Sequence, residues 1–511
     1  MFEFFIALKY LMPGKKRFAA SLISLMSIGV ISLVVWLVLV FLSVINGIEE
    51  NWINKLTSLN APLRITPTDH YYSSYYYLSD SISMISDYNT KNIREKQNTE
   101  GNSNPYKYDT DMEIPQSWAK PHLNKKGELV DPVKIAFGIL SKHQDIAYED
   151  YELSASIMKI AIQRENKNLS FLTQMIYLAA ICEKNPHIKH LLLPPSNEDI
   201  NNFNKNLSQI DKEKLHSALP TSLSVTLENN IEPVFLPKSL KDSGICVGDR
   251  GYLSYNKNSS FTHQEQHISI YVAGFYDPGL LPIGNKCVLV NPNVTQMINK
   301  AAAVFSPDGT PMNGIYVWMK DPFKAKKWKS SLEQEFINND IAQYWKITDF
   351  SEYEFAKDLL QQFQSDKMLF SLIAIIILIV ACSSIISMLI LLVNDKKREI
   401  AAMQAMGASK KNIAIIFGIC GVTTGLISSI IGILAALFTL NHLDVLVDML
   451  SAIQGHAAFN VMFFGNHLPN TLSIKALLLI LIATPIISLI AGIIPAIKAT
   501  KLSPSNILRS E

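Results

Sequence analysis

The chain has 511 residues, 48% of them hydrophobic, and a mean hydropathy of +0.16, which is apolar for a soluble protein and leaves room for two or three domains. Its 46 Lys and Arg against 44 Asp and Glu leave a net charge of +2, so nothing supports nucleic-acid binding as its main business. The informative quantity is where the charges sit. Phe18–Ile45, Met368–Val393, Ile413–Leu440 and Ala476–Ile497 contain no Asp, Glu, Lys or Arg. Each exceeds the roughly 20 apolar residues that a spanning helix needs.

In chain order, residues 1–17 place Phe2, Phe5, Ile6, Leu8 and Met12 beside Glu3 and Lys9, ahead of the Pro13-Gly14 break. This pattern fits a helix lying at the cytoplasmic membrane interface, with a disordered leader as the alternative. The first spanning helix is expected over 18–47. It is too long for a secretory signal and has no small-x-small cleavage pattern after it. Leu42, Ile45, Ile48 and Ile53 extend its stripe past the hydrocarbon, so it is expected to project as a stalk.

Residues 48–366 form one large external segment. Arg64–Thr66 reads as a first strand closed by Pro67, and the polar, tyrosine-rich His70–Tyr77 leads into Asn89–Pro105, which reads as flexible. Within Asp131–Pro186 the apolar spacings predict a small helical insertion. From Ile231 onward, Pro233–Leu236, Gly251–Tyr255, His267–Phe275, Cys287–Val290 and Gly314–Met319 read as strands, with a tight turn at Val247-Gly248-Asp249. Helices are expected over Val294–Val304 and Pro322–Ile337, the latter with Asp321 as N-cap and Pro322 at its first position. Cys182, Cys246 and Cys287 lie in this segment, an odd number that rules out a full disulfide framework; Cys246 and Cys287 either pair or stay free.

The second span (367–393) follows a second helical stalk, Tyr353–Gln364. A basic hairpin over 394–411 leads into a third span (412–440), a connection over 441–473, a fourth span (474–497) and a tail over 498–511. Lys9, Lys15, Lys16 and Arg17, then Lys396, Lys397, Arg398, Lys410 and Lys411, then Lys498, Lys501 and Arg509 fall on one side. The connection over 441–473 holds only Asp444 and Asp448 before its end. Positive charge then puts both termini and the hairpin in the cytoplasm. The fold class expected is four transmembrane α-helices plus a large α+β extracytoplasmic domain between the first two.

The hairpin NDKKREIAAMQAMGASKKN draws most interest. Ile400, Met403 and Met406 recur on one side of a short helix, Gly407 is a natural C-terminal stop and Ser409 a natural N-cap for the next span. Such a helix either docks a partner or rests on lipid headgroups, with Arg398 and Glu399 able to fix its register. No G-x-x-x-x-G-K-[ST] loop occurs; Gly407-Ala408-Ser409-Lys410-Lys411 lacks both the leading glycine and the trailing hydroxyl. This chain is therefore not expected to be an enzyme alone. Cys182, His187 and His190 imitate metal spacing but read as incidental, as do His263 and His267.

Four stretches carry a resemblance: ALKYLMPGKKRF with SLISLMSIGVISLVVWLVLVFLSVINGIEE, PVFLPKSLKDSGICVGDRGYLSY with ISIYVAGFYDPG, LVNDKKREIAAMQAMGASKKNI, and AGIIPAIKATKLSPSNILRSE. Together they resemble permease subunits of the LolC/LolE type, from lipoprotein-releasing ABC transporters, within a wider superfamily of macrolide-exporter and cell-division permeases. Residues from about 70 to 230 are longer than that pattern and do not match it.

The resemblance implies a bacterial inner-membrane protein that extracts lipoproteins from the outer leaflet and passes them to a periplasmic lipoprotein carrier. ATP and Mg would be bound by a separate cytoplasmic ABC ATPase, with no cofactor on this chain, and a second permease subunit would complete a homo- or heterodimer. Force would enter by mechanotransmission at a coupling helix containing Arg398, Glu399, Ile400, Met403, Met406, Gly407, Ala408 and Ser409. Leu42, Ile45 and Ile48 with Phe363, Met368, Leu369 and Leu372 would line a substrate cavity, or simply pack the helices together. The Ser254–His267 loop, with Phe261 its anchoring aromatic, would dock the carrier or be an idle hairpin. Two alternatives stay open: a drug or peptide efflux permease, and a non-transporting regulator of a cell-wall hydrolase.

Overall fold

The computed structural model describes residues 5–7, 18–99, 114–162, 170–193, 231–258, 263–277, 286–302, 312–456 and 472–500. The long elements begin with α1 (Phe18–Asn60), β1 (Leu63–Pro67), α2 (Pro132–Ser141), β2 (Ile146–Ile162) and β3 (Ser170–Ala180). There follow β4 (Glu232–Pro237), β5 (Arg250–Asn258), β6 (His263–Tyr276), β7 (Cys287–Val290) and α3 (Pro292–Ala302). The chain continues through β8 (Asn313–Met319), α4 (Ala325–Asn338), β9 (Trp345–Asp349) and α5 (Glu354–Asp395). It ends with α6 (Lys397–Ala405), α7 (Lys410–Asn441), α8 (Leu443–Gln454) and α9 (Ile474–Thr500). Two compact units result, Trp52–Asp358 and the remainder, Met1–Asn51 with Leu359–Glu511.

The unit Trp52–Asp358 is built on a nine-stranded sheet of order β3-β7-β4-β6-β5-β2-β8-β1-β9, and β3 also pairs with β2. That extra pairing closes β3, β7, β4, β6, β5 and β2 into a barrel, leaving β8, β1 and β9 as an extension of the sheet. Strand β2 belongs to both parts. Its first half runs antiparallel to β8, from Ile146↔Met319 to Glu152↔Asn313, and its second half pairs with β3 and β5.

This replaces the helical insertion expected within Asp131–Pro186. Among the described residues there, only Pro132–Ser141 is a long helix, with Asp131 capping it by accepting from the Lys134 amide at 2.9 Å. Beyond it the burial has period two: Met158 and Ile160 are fully buried, while Ile157 before them is half exposed and Lys159 between them is half-buried. Clustered β-branched residues imitate helical spacing in a short window, and strand pairing decides the outcome. The stretch outside the family pattern thus supplies the spine of the domain. The barrel core joins Met158, Ile160, Ile176 and Leu178 to Val234, Leu236, Leu253, Ile270, Val272, Val288 and Val290. Gly251 is required where β5 crosses β2, because a Cβ there would collide with the Lys159 carbonyl oxygen.

The strands read from Ile231 onward are found: Cys287–Val290 has the expected bounds and the others extend beyond theirs. Gly248 holds φ +92° in the expected turn, donating to the Val272 carbonyl at 2.8 Å, while Asp249 accepts from the Cys246 amide at 2.9 Å. Asp321 caps its helix through the Phe323 amide, although the first turn, Pro322–Lys324, is a 3₁₀ turn before α4. The hairpin expected as a loop from Ser254 to His267 is mostly strand, since β5 runs to Asn258 and β6 starts at His263.

The tyrosine-rich segment is also ordered up to Thr99. Asp69–Tyr72 and Tyr75–Leu78 are single helical turns, and Ile93–Asn98 begins with a reciprocal capping box between Asn92 and Glu95. They close on an ion pair with almost no solvent contact, Lys96 Nζ to Asp80 Oδ2 at 2.6 Å. Lys96 also donates to the Tyr76 carbonyl at 3.0 Å, and Asp80 accepts from Ser86 at 2.8 Å. Burial pulls the Lys96 ammonium below its ordinary range, and Asp80 pulls it partly back. Low hydrophobicity hid this because the order comes from polar partners.

In the other unit, α1, α7 and α9 are long and apolar enough to cross a membrane, through Leu25–Asn60, Lys411–Asn441 and Ile474–Gly492. Among the described residues these are three candidate spans rather than four. The expected second span lies in α5, a 42-residue helix of which Ile385–Asp395 forms a shorter apolar stretch. Helices α7 and α9 approach closely because α7 is slim: a Cβ at Gly421 or Gly425 would strike Ser488, and one at Gly432 would strike Ser32 and Val35 of α1. At the N-terminal end, Phe5–Ala7 is helical, and Ala7 is buried with its carbonyl accepting from Cys420 Sγ at 3.6 Å.

Removing one partner of a buried ion pair costs about 3–5 kcal/mol. Asp80→Ala should therefore lower the apparent unfolding temperature of the full chain markedly, whereas Asp80→Leu with Lys96→Met should recover most of the loss. Thermal unfolding in lipid nanodiscs reads the difference.

Candidate functional site

The hairpin between α5 and α7 is a complete structural device. After Asp395, the Lys396 amide donates to the Leu392 carbonyl and the Ile400 amide donates to the Lys396 carbonyl, so α6 starts with almost no intervening loop. Lys396 Nζ holds Glu399 Oε1 at 3.1 Å, a local pair three residues apart. Helix α6 ends at Met406; Gly407 takes φ +99°, and the Gly407 and Ala408 amides donate back to Gln404 and Met403, each at 3.0 Å. Ser409 then caps α7, its hydroxyl oxygen accepting from the Asn412 amide at 3.2 Å. The stop and cap expected at Gly407 and Ser409 are where the corner turns.

The apolar residues of α6 do not share one accessible face. Ile400 and Ala401 are fully buried, Ile400 in the cluster that contains Val393, Ile413 and Phe417, and Met403 packs against that cluster. Only Met406 of the expected trio is open, at 80% exposure. A three-residue spacing advances about 300°, so Ile400, Met403 and Met406 drift around the helix and the first two turn inward. The accessible stripe is instead Arg398, Ala402, Ala405 and Met406, continued by Gly407 and Ser409. Ala408 is half-buried.

The residues expected to line a substrate cavity divide differently. On α1, Leu42 packs against the membrane-unit core and Ile45 and Ile48 are half-buried. On α5, Phe363 is half-buried, while Met368, Leu369 and Leu372 are 78%, 56% and 58% exposed. The two helices run side by side here: the Phe41 and Phe370 rings lie 6.0 Å apart and Lys367 Nζ meets Glu49 Oε2 at 2.8 Å. Their apolar residues therefore meet along the seam and also form an open face on α5, which extends through Ile375, Ile376 and Ile379.

Residues 371–504, which include this corner and α7 to α9, match the FtsX-like permease C-terminal family. The chain is 28% identical over 192 residues to lipoprotein-releasing system transmembrane protein LolC of Haemophilus influenzae, covering 37% of this chain and 46% of that protein. It is 27% identical over 207 residues to LolE of the same organism, covering 40% and 48%. An uncharacterized membrane protein of Buchnera aphidicola is 24% identical over 199 residues. The chain is similar to permeases of the LolC/LolE type, and its residues 371–504 carry the FtsX-like permease C-terminal domain. It spans about half the length of these relatives.

Phe261 lies outside the described residues. Cys182, Cys287 and Cys420 carry free thiols, so the Cys246–Cys287 pairing is not formed. Burial pushes the Cys287 thiol up to about 11, which leaves it protonated and unreactive at neutral pH. Among the described residues no three His, Cys, Asp or Glu side chains converge as a metal site.

Sequence reasoning missed one junction. Arg64 of β1 donates from Nη2 to Asn60 Oδ1 at 2.6 Å, and its guanidinium lies 4.3 Å from the Tyr353 ring centre and 5.5 Å from that of Tyr316. Tyr353, just before α5, donates to the Ala61 carbonyl at 3.0 Å. The end of α1 and the beginning of α5 are thereby tied to neighbouring strands, β1 and β9, paired from Leu63↔Asp349 to Pro67↔Trp345. The one available signal was a charge set between Leu63 and Ile65 in a short apolar strand.

A side chain at position 407 must adopt a left-handed conformation, which costs about 1–2 kcal/mol. Gly407→Val should therefore raise amide exchange over 402–409 about 5- to 30-fold while leaving the sheet amides unchanged. Hydrogen-exchange mass spectrometry measures both.

Proposed function

We propose that this chain is the membrane subunit of an ABC transporter that extracts lipoproteins from the outer leaflet of a bacterial inner membrane. The observation that carries the reading is the α6 corner. A short helix anchored from beneath by Ile400 and Ala401 presents Arg398, Ala402, Ala405 and Met406 to a partner. Two alanines let a partner backbone approach closely, Met406 supplies an adaptable apolar contact and Arg398 a directional charge. The partner on this reading is a cytoplasmic ATPase, which binds the ATP and Mg. Lys396, Lys397, Arg398 and Lys411 around the corner support a cytoplasmic setting for it.

Extraction needs an external energy source. Each methylene drawn from the bilayer costs about 0.8 kcal/mol, so several acyl chains together require tens of kcal/mol, supplied by ATP. Force delivered at α6 passes directly into α5 and α7, since no flexible linker separates α6 from either. The open apolar face of α5 around Met368, Leu369 and Leu372 then serves as part of an acyl-chain lining completed by a second permease subunit, with Leu42, Ile45 and Ile48 beside it. Release to a periplasmic lipoprotein carrier completes the reaction on this reading.

Met406→Glu and Ala402→Glu should each abolish co-purification with the ATPase while leaving the permease folded. Ile400→Glu should instead reduce folded protein, because it buries a charge. Retained ATPase binding by both surface variants would remove docking from α6. Depletion of the permease should make outer-membrane lipoproteins accumulate in the inner membrane, which fractionation detects; normal sorting would sink the transport reading.

A further inference from the structure

Within the unit Trp52–Asp358, a cavity of about 230 Å³ lies between the last turn of α1 and the face of the sheet. Its walls are mainly apolar, with Leu59, Leu153, Ala179, Ile181, Ile188 and Leu289 among them. Apolar cavities of about 150 Å³ stay dry and take up ligands the size of benzene, so this one has room for an aliphatic chain of several carbons. Asn60 and Arg64 also reach the wall. A guanidinium only donates, so the Asn60 amide must turn its oxygen toward Arg64. Its Nδ2 is buried and makes no hydrogen bond. An unsatisfied buried donor of this kind costs about 1–3 kcal/mol until an acceptor is supplied.

The cavity also has an apolar approach. Tyr177 lines it and is 40% exposed on the β2–β3 hairpin. Alternation puts Met175 and Phe171 of β3, with Leu153 and Ile157 of β2, on that same face. Met175, Phe171 and Ile157 are 66%, 52% and 49% exposed. In register, Ile157 stands directly opposite Met175 and Leu153 opposite Ala179, so an apolar track runs along the hairpin to the cavity wall.

We propose that this cavity binds a single aliphatic chain whose oxygen-bearing end, a carboxylate or an ester carbonyl, meets Asn60 and Arg64. The apolar walls take the chain, the Asn60 amide gains its missing acceptor, and the Arg64 charge favours an acidic end. Leu59 and Asn60 close one wall, so occupancy would also stiffen the end of α1 against the sheet. The assignment is independent of what the protein transports.

The test uses the full chain in lipid nanodiscs and a ten-carbon carboxylic acid bearing a diazirine, with adducts mapped by peptide mass spectrometry. Saturable labelling of the peptides that contain Leu153, Tyr177–Cys182 or Ile188 is expected, alongside background labelling of the spans. Ala179→Trp, which fills the cavity, should cut the sheet labelling at least about 5-fold and leave the span labelling as an internal control for folding. Asn60→Asp keeps the oxygen that Arg64 needs but loses the orphan donor and adds negative charge. It should lower labelling by the acid about 10-fold and spare the matching ten-carbon alcohol probe. Competition by decanoate would assign the site to free acids, and competition by a lysophospholipid or an acylated lipopeptide to lipid-borne chains. Labelling confined to the spans, labelling unchanged by Ala179→Trp, or equal loss of both probes in Asn60→Asp would overturn the proposal.

Discussion

The constraint on which the sheet unit depends is the anchoring of Arg64. A guanidinium placed between Leu63 and Ile65 has to find partners away from the core that those two residues enter. It finds the Asn60 carboxamide at the end of α1 and the rings of Tyr353, Tyr316 and Tyr151. Tyr151 and Tyr316 are themselves stacked, with ring centres 3.9 Å apart. With Arg64 itself, these five side chains come from α1, β1, β2, β8 and the approach to α5, so one cation fixes the relative position of three strands and two helix ends. Burial raises the Tyr353 hydroxyl well above its ordinary range and Arg64 draws it partly back, which keeps that hydroxyl protonated and donating to Ala61.

A second principle governs the membrane unit, where selection acts on the absence of side chains. Gly421, Gly425 and Gly432 leave α7 narrow enough for α9 and α1 to approach, and Gly407 lets α6 turn directly into α7. Lipid tails give no net hydrophobic drive for helices to associate, so close van der Waals contact has to supply it. At the corner, the same economy joins α5, α6 and α7 with no slack between them.

The long apolar helices were legible in the sequence because charge is absent over lengths no soluble helix needs. The strands after Ile231 were legible from alternation, and the corner from Gly407 and Ser409. The spine of the sheet was not: β2 shows helix-like spacings when read alone, and its 17 residues become a strand only through partners on β3, β5 and β8. Order around Lys96 and Asp80 was hidden for a related reason, since composition counts apolar residues while a buried ion pair depends on geometry. The accessible stripe of α6 was half legible. Periodicity marked Ile400 and Met403 as apolar, but only packing reveals that they face the protein's own core.

The pairing of β1 with β9 has a further consequence. Leu63 and Asp349 lie nearly the whole unit apart in sequence yet sit opposite each other in an antiparallel ladder, where partner Cα atoms are about 5 Å apart. The chain therefore enters and leaves the sheet unit at neighbouring positions. Anything folded between those two points can lengthen, shorten or be replaced without moving either helix, provided its own ends return to the same spacing. Such an arrangement makes the sheet unit a module whose interior is independent of its point of entry.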